Sequence, residues 1–282
     1  MAIDPGRPRA VRALTVLLVL TAAATVVVEL LNYRYAPEHG AGLAIRTGWA
    51  LLRTLGWLLL IRQVRRGRAT APPLGLILAI TTVFAVGRLV VPRSGRPPLP
   101  GVVGFALLVV LCLAVVVLLY RHPVVRDHLV RRPNRLVFGR DGLSLQETAP
   151  SRTPSNGWLL TARLAAFTYS PLMLVPCLIS FGELRQRPQW LLAVLFWLAG
   201  GIAVSYAVLL TTIFLMRGKP AARRALAWIT VAVLAADLPL CYLLLGVDGL
   251  IRDGAPLVAA ALLASYALWR AARAPVEVEA VG

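Results

Sequence analysis

The sequence predicts an all-α fold, a polytopic transmembrane helical bundle with about eight spanning helices in a 4+4 arrangement. Three observations predict it: 59% of the 282 residues are hydrophobic, only 15% are charged, and the mean hydropathy is +0.75. Soluble domains average about 45–50% apolar and about 25% charged residues, so this chain lacks the polar groups that a water-facing surface needs. Intrinsic disorder is excluded as well, because disordered chains are poor in hydrophobic residues.

Eight segments have the ~20 mostly apolar residues that a helix needs to cross a bilayer. They are 12–33, 42–62, 73–92, 101–120, 163–182, 190–216, 222–246 and 255–272. The apolar run 14–28 of the first segment follows Arg7, Arg9 and Arg12, as in a secretory signal, but its continuation and the spans after it favour a retained signal anchor. The second segment is the most polar, because it contains Arg46 and Arg53.

The basic residues in the connections predict the orientation of the spans, since cytoplasmic loops of membrane proteins are enriched in lysine and arginine. With the N-terminus inside, 21 of the 30 basic residues fall on the cytoplasmic side and 7 on the other. We therefore expect a multi-pass protein of a bacterial cytoplasmic (inner) membrane with both termini in the cytoplasm. The positive loops would face an anionic leaflet, so the net charge of +18 does not indicate nucleic acid.

The spans divide into two transmembrane halves of four helices, residues 1–120 and 163–282, joined by a basic cytoplasmic loop, residues 121–162. From Arg12 to Arg121 is 110 residues, and from Arg163 to Arg270 is 108. This similar spacing suggests a parallel duplication, of the kind that some transporters use. However, any protein with eight evenly spaced helices and basic cytoplasmic loops would show similar spacing. Duplication and regular spacing without duplication therefore both stay open.

The connecting loop contains two predicted elements. Residues 122–132 mix valine and leucine with basic side chains, which is typical of a short helix on the membrane surface. Residues 135–147 alternate like two strands around a turn at Gly139–Gly142. We expect the loop to act as an ordered tether between the halves, with docking of a cytoplasmic protein as the alternative.

Ionisable residues inside the spans are the candidate functional residues, because a bilayer makes them costly unless they are paired. Arg53 lies ~16 Å inward from Gly42, and Asp237 lies ~18 Å inward from Ala225, which places both near the bilayer centre. Arg46 is only ~6 Å deep. It shares the level of Glu29 in the first span. Depth therefore predicts the pairs Arg53–Asp237 and Arg46–Glu29.

Two interpretations of these residues compete. In the functional one, Arg53 and Asp237, with Tyr206 nearby, border a polar midplane cavity that binds an anion or relays protons. In the structural one, the pairs fix the register of packed helices. The structural interpretation is favoured, because most charged pairs within the membrane that can be inferred from one sequence fix helix register.

The sequence contains no recognisable motif for catalysis, a cofactor or a metal, so it leans away from an enzyme and predicts no catalytic residues, no cofactor and no metal site. The first functional hypothesis is a small permease with a polar site near Arg53 and Asp237. The second is a non-transporting scaffold that docks a cytoplasmic partner through the loop at 121–162. A lipid-modifying enzyme is the third and least favoured.

Overall fold

The computed structural model describes residues 8–34, 40–87, 99–129, 134–139, 142–147, 154–184 and 187–273. The first part comprises α1 (Arg9–Arg34), α2 (Ala41–Arg65), α3 (Ala71–Gly87), α4 (Leu99–Arg121), α5 (Pro123–His128), β1 (Asn134–Gly139) and β2 (Gly142–Glu147). The second comprises α6 (Pro154–Phe167), α7 (Tyr169–Glu183), a 3-10 turn (Pro188–Trp190), α8 (Leu191–Met216), α9 (Pro220–Gly249), a π-helical turn (Leu250–Gly254) and α10 (Ala255–Arg273).

The all-α polytopic bundle is confirmed. Among the described residues, seven helical stretches are long and apolar enough to cross a membrane, and α3 is a shorter apolar helix of 17 residues. The predicted third span runs to residue 92, and its residues after Gly87 lie outside the described part. Large apolar side chains face outward; Leu192 is 79% exposed and Phe196 is 63% exposed. A water-soluble protein rarely exposes contiguous apolar faces of this kind, whereas lipid accepts them.

Each half of the chain has its own apolar core. One cluster is built from α1 to α5 and includes Leu14, Trp57 and Val115, all fully buried. The other is built from α6 to α10, with Ile77 of α3 joining it. Within each half the first spanning segment packs against the second and the fourth, and the third packs against the same two.

The two halves meet through different sets of helices. From the first half, α2 and α3 form the main contacts, and from the second half, α6, α7, α10 and the π-helical turn form them. A twofold arrangement of equivalent halves would use the same helices on both sides. The described interface is therefore not of the twofold kind, and duplication of the sequence stays a prediction.

The fifth spanning segment begins earlier than predicted and contains a break. It runs from Gly157 to Gly182, so the helical part starts inside the region predicted as loop. Its first residues include Trp158 and Leu159, which are apolar enough to continue the span. The helix breaks at Thr168, because Pro171 lacks an N–H and its ring would clash with the carbonyl of Phe167.

The connecting loop contains a short helix and a two-stranded hairpin. Helix α5 packs Val125 and Leu129 into the core of the first half, and His128 Nε2 lies 3.0 Å from the carbonyl of Val64. Val125 and Leu129, the latter just after the helix, thus face the bundle, while Val124 is 41% exposed. The predicted position of the helix on the membrane surface stays a prediction. The strands pair antiparallel, from Asn134 with Glu147 to Gly139 with Gly142, around the predicted turn. The two residues between them, 140–141, lie outside the described part.

The last two spans are joined by irregular backbone. Gly246 interrupts α9 with φ 70° and ψ −165°, a conformation that is essentially restricted to glycine. The π-helical turn follows, and α10 begins directly after it at Ala255. Turns of this type are frequent at functional sites because they redirect side chains out of helical register. Here the turn directs Arg252 and Asp253 toward the cavity between the halves.

Candidate functional site: a polar cavity between the two halves

A small polar cavity lies where the two halves meet, at the end of the bundle at which α1 ends and α2 begins. Its volume is about 50 Å³. The first half contributes Glu29, Arg46, Trp49, Arg53, Thr81 and Ala85, and the second half contributes Leu172, Val175, Arg252, Asp253 and Pro256. Among the described residues, three arginines and two carboxylates thus line one cavity in a largely apolar bundle.

Arg53 and Glu29 form the inner part of this site. Arg53 Nη2 lies 3.5 Å from Glu29 Oε1, and Arg53 Nη1 donates a hydrogen bond of 3.1 Å to the carbonyl oxygen of Thr81. The two charged side chains are only 5% and 7% exposed. Thr81 accepts this bond on α3 while its own hydroxyl donates to the carbonyl of Ile77 one turn earlier. The arginine is therefore held by a carboxylate on one neighbouring helix and a backbone carbonyl on another.

Arg46 and Asp253 form the outer part. Arg46 Nη2 lies 3.5 Å from Asp253 Oδ2, and these side chains are 21% and 12% exposed. Arg46 is seven residues before Arg53, which puts both on one face of α2. Because Asp253 belongs to the π-helical turn, this ion pair connects the first half to the second.

Asp237 lies elsewhere, inside the second half. It is fully buried, accepts a hydrogen bond of 2.8 Å from the indole nitrogen of Trp197, and contacts Cys241 Sγ at 3.5 Å. Trp197 is on α8 and Cys241 is one turn further along α9. The carboxylate therefore links the sixth and seventh spanning segments rather than bordering the cavity.

Both predicted pairs are wrong: Arg53 pairs with Glu29 and not with Asp237, and Arg46 pairs with Asp253 and not with Glu29. Helix neighbours explain the first correction, because α2 packs against α1, α3 and α7 while α9 packs mainly against α8, α7 and α10. Side-chain direction explains why Arg53 reaches Glu29. Side chains on a helix lean toward its N-terminus, so on antiparallel α1 and α2 these two lean toward each other.

Tyr206 is separate from all of these residues. It lies on the outer face of α8 and is 66% exposed, so it faces the surroundings of the bundle. Of the five predicted site residues, the structure brings together Glu29, Arg46 and Arg53 in the cavity. It leaves Asp237 and Tyr206 outside the cavity lining.

Four polar or aromatic residues of the cavity are absent from the sequence prediction: Trp49, Thr81, Arg252 and Asp253. Arg252 and Asp253 lie in a connection with two Asp-Gly steps, which favour turns and are typical of an exposed connection. The sequence clue to their role is position, since that connection lies at the same predicted end of the bundle as Arg46. The depth of Thr81 in its span does not indicate a role in the site, because Thr81 contributes its backbone carbonyl and not its side chain.

The cavity can hold small, negatively charged species. Arginine presents planar sets of N–H donors that fit carboxylate and phosphate oxygens, and it stays charged when buried. Comparisons with protein families, curated proteins and solved structures find no match for this chain.

Proposed function

We propose that this multi-pass membrane protein is a small permease of a bacterial cytoplasmic membrane that binds a small anion in the cavity between its halves. The observation that carries the proposal is the lining of three arginines against two carboxylates. Ionisable side chains within membrane spans are rare and commonly mark substrate or ion pathways. Among the described lining residues, positive charges outnumber negative ones, which favours an anion over a cation.

The location of the cavity supports transport rather than a purely structural role. Substrate sites in many transporters lie between two groups of helices, next to a break in regular helical structure. Here both halves line the cavity, and the π-helical turn supplies Arg252 and Asp253. The ion pair between Arg46 and Asp253 crosses between the halves, so it would have to open before they could separate at this end.

The size of the cavity limits the substrate. Sites for drug-sized molecules are roughly 300–1,000 Å³. The cavity measures about 50 Å³, which is enough for a few water molecules, a halide or a single oxyanion group. We therefore infer an inorganic anion or a small carboxylate as the substrate class.

The charge distribution of the loops further supports both termini in the cytoplasm, with the cavity toward the opposite face.

The proposal is tested on purified protein with chloride, acetate and phosphate at equal ionic strength. An anion present at 100 times its Kd stabilises the folded protein by about 2.7 kcal/mol, so its binding raises the melting temperature. We expect at least one of these three anions to raise the melting temperature and to cross the membrane of proteoliposomes that contain the protein.

Two substitutions make this experiment specific. Arg252→Gln removes a charge from the cavity, and Arg187→Gln removes the same charge from an exposed residue outside its lining. The first should abolish the stabilisation and the flux, and the second should leave both unchanged. If none of the three anions stabilises or crosses, or if the two variants behave alike, the permease proposal is wrong.

A second candidate function is a scaffold that docks a cytoplasmic protein through the loop at 121–162. One observation favours it: β1 and β2 form a two-stranded sheet of their own. Isolated hairpins are only marginally stable, so a bound partner would add strands or cover a face. Deletion of residues 134–147 separates the two functions. A permease should keep its anion flux after the deletion, whereas a scaffold should no longer bind its cytoplasmic partner.

A further inference from the structure

A cluster of aromatic and basic side chains joins α6 and α10, apart from the residues that line the polar cavity. The Trp158 ring is 5.6 Å from the Tyr266 ring and nearly perpendicular to it, and Tyr266 is 5.8 Å from Trp269. Two arginines cover these rings. Arg270 Cζ lies 5.3 Å from the centre of the Trp158 ring, and Arg273 Cζ lies 4.1 Å from that of Trp269.

No carboxylate neutralises this cluster within the part of the chain that the structure describes. Neither α6 nor α10 contains an aspartate or a glutamate, and neither Arg270 nor Arg273 forms an ion pair with a described residue. A guanidinium that stacks on a ring keeps its N–H donors in the plane of the group, directed outward. The stacking therefore orients both cations without using their hydrogen-bonding capacity.

The position of the cluster matches the boundary between lipid tails and headgroups. Arg270 and Arg273 occupy the last turn of α10, directly after the apolar span that ends there. Tyr266 and Trp269 remain 49% and 45% exposed, so their rings are open to the surroundings of the helix pair. Tryptophan and tyrosine concentrate at this boundary because one end of the ring is apolar and the other is polar.

We propose that the cluster of Trp158, Tyr266, Trp269, Arg270 and Arg273 is a binding site for the phosphodiester headgroup of an anionic phospholipid. The two guanidinium groups bind the phosphate oxygens, and the exposed rings contact the glycerol backbone and the upper acyl chain. A lipid fits better than a free anion, because the same site offers two charges and an apolar surface next to them. The inference is independent of the permease proposal.

The experiment counts bound lipids on the full-length protein in detergent by native mass spectrometry during a titration with phosphatidylglycerol. The test variant is Arg270→Gln with Arg273→Gln. The matched control is Arg223→Gln with Arg224→Gln, which removes the same charge from exposed residues at the start of α9. If each guanidinium that contacts the lipid phosphate contributes roughly fivefold in affinity, the size of one arginine's attraction to an anionic membrane surface, the test variant should bind the lipid about thirtyfold more weakly. The control should bind like the wild type.

Three results would overturn the proposal. Equal weakening in test and control variants would indicate attraction by net charge alone. Equal binding of phosphatidylcholine by the wild-type protein would indicate apolar contact alone. Competition by millimolar inorganic phosphate would indicate a site for the free anion. The comparison of the two lipids uses only the wild-type protein, so it remains decisive if a variant fails to fold.

The aromatic rings provide a second variant. Trp269→Leu keeps both arginines and the apolar character of the position but removes the ring under Arg273. We expect several-fold weaker binding of phosphatidylglycerol with no change in the binding of phosphatidylcholine. An unchanged preference between the two lipids would show that stacking does not orient the cations and would contradict the proposed site.

Discussion

Glu29 and Arg53 form a buried ion pair of 3.5 Å between two antiparallel helices, although their positions along the helices differ in depth. Glu29 is five residues from the end of α1 and Arg53 is 12 residues from the start of α2, a difference of roughly 10 Å. The arginine side chain spans this difference because it leans toward the N-terminus of its helix. This pair fixes the inner boundary of the polar cavity.

Loss of the Glu29 carboxylate is expected to destabilise the protein strongly. Glu29→Gln leaves the guanidinium of Arg53 without this counter-charge in a buried environment, which costs about 3–5 kcal/mol in comparable pairs. The measurement is the free energy of unfolding in detergent. The double variant Glu29→Gln with Arg53→Gln should recover much of the loss, because no isolated charge remains. A double variant no more stable than the single one would contradict the importance of this pair.

The contact between Arg46 and Asp253 is expected to couple two elements that are 207 residues apart in sequence. We predict an interaction free energy of about 1 kcal/mol from a double-mutant cycle with Arg46→Gln and Asp253→Asn, within the usual range for contacting residues. Its partial exposure keeps the value below that of the buried pair. Strictly additive effects of the two substitutions would show that this ion pair does not couple the two halves.

Asp237 is expected to have a structural role. Asp237→Leu leaves the indole N–H of Trp197 buried without this acceptor, which costs about 1–3 kcal/mol. Asp237→Asn keeps an acceptor oxygen and should cost less. Because Asp237 does not line the cavity, both variants should keep anion binding in proportion to the folded protein present. Loss of anion binding in folded Asp237→Asn protein would contradict this assignment.

A side chain at Gly246 is expected to destabilise the protein, for reasons of backbone conformation alone. A Cβ added at this position would meet no atom within 4 Å, yet its φ of 70° and ψ of −165° are unfavourable for any other residue. Gly246→Ala should therefore cost about 1–3 kcal/mol. Gly48 of α2 has equal space and ordinary helical backbone, so Gly48→Ala should stabilise by about 0.5–1 kcal/mol. Similar unfolding free energies for the two variants would refute the prediction.

The orientation in the membrane is expected to follow the charge distribution. In a chain whose three cysteines are replaced by alanine, Glu38→Cys should react with a membrane-impermeant maleimide on intact cells. Gly282→Cys should react only after the cells are opened, because the charge of the loops predicts that this terminus is in the cytoplasm. Labelling of Gly282→Cys on intact cells would reverse the topology and place the cavity at the cytoplasmic face.

Much of the architecture can be predicted from the sequence because it depends on local properties. Continuous apolar runs correspond to the helices, since every backbone polar group must be satisfied within a bilayer. The hairpin follows from alternation around Gly139 and Gly142. Charge inside a span is rare, so three of the cavity residues stand out in the sequence. The start of α6 escapes prediction, because Arg163 has the polarity of a loop residue although it stacks on Phe167 within the helix.

Partner choice among the polar residues is decided only by the tertiary structure. Depth along a helix gives the level of a residue, but which neighbour it meets depends on the rotation of the helix, the lean of its side chains and the packing order of the segments. Helix rotation, side-chain lean and packing order together place Arg53 against Glu29 and turn Asp237 toward Trp197 inside the second half. The π-helical turn then brings Asp253 to Arg46 from a connection that, in sequence, has the composition of an exposed loop. Local composition determines which segments enter the membrane, and non-local packing determines which charges meet there.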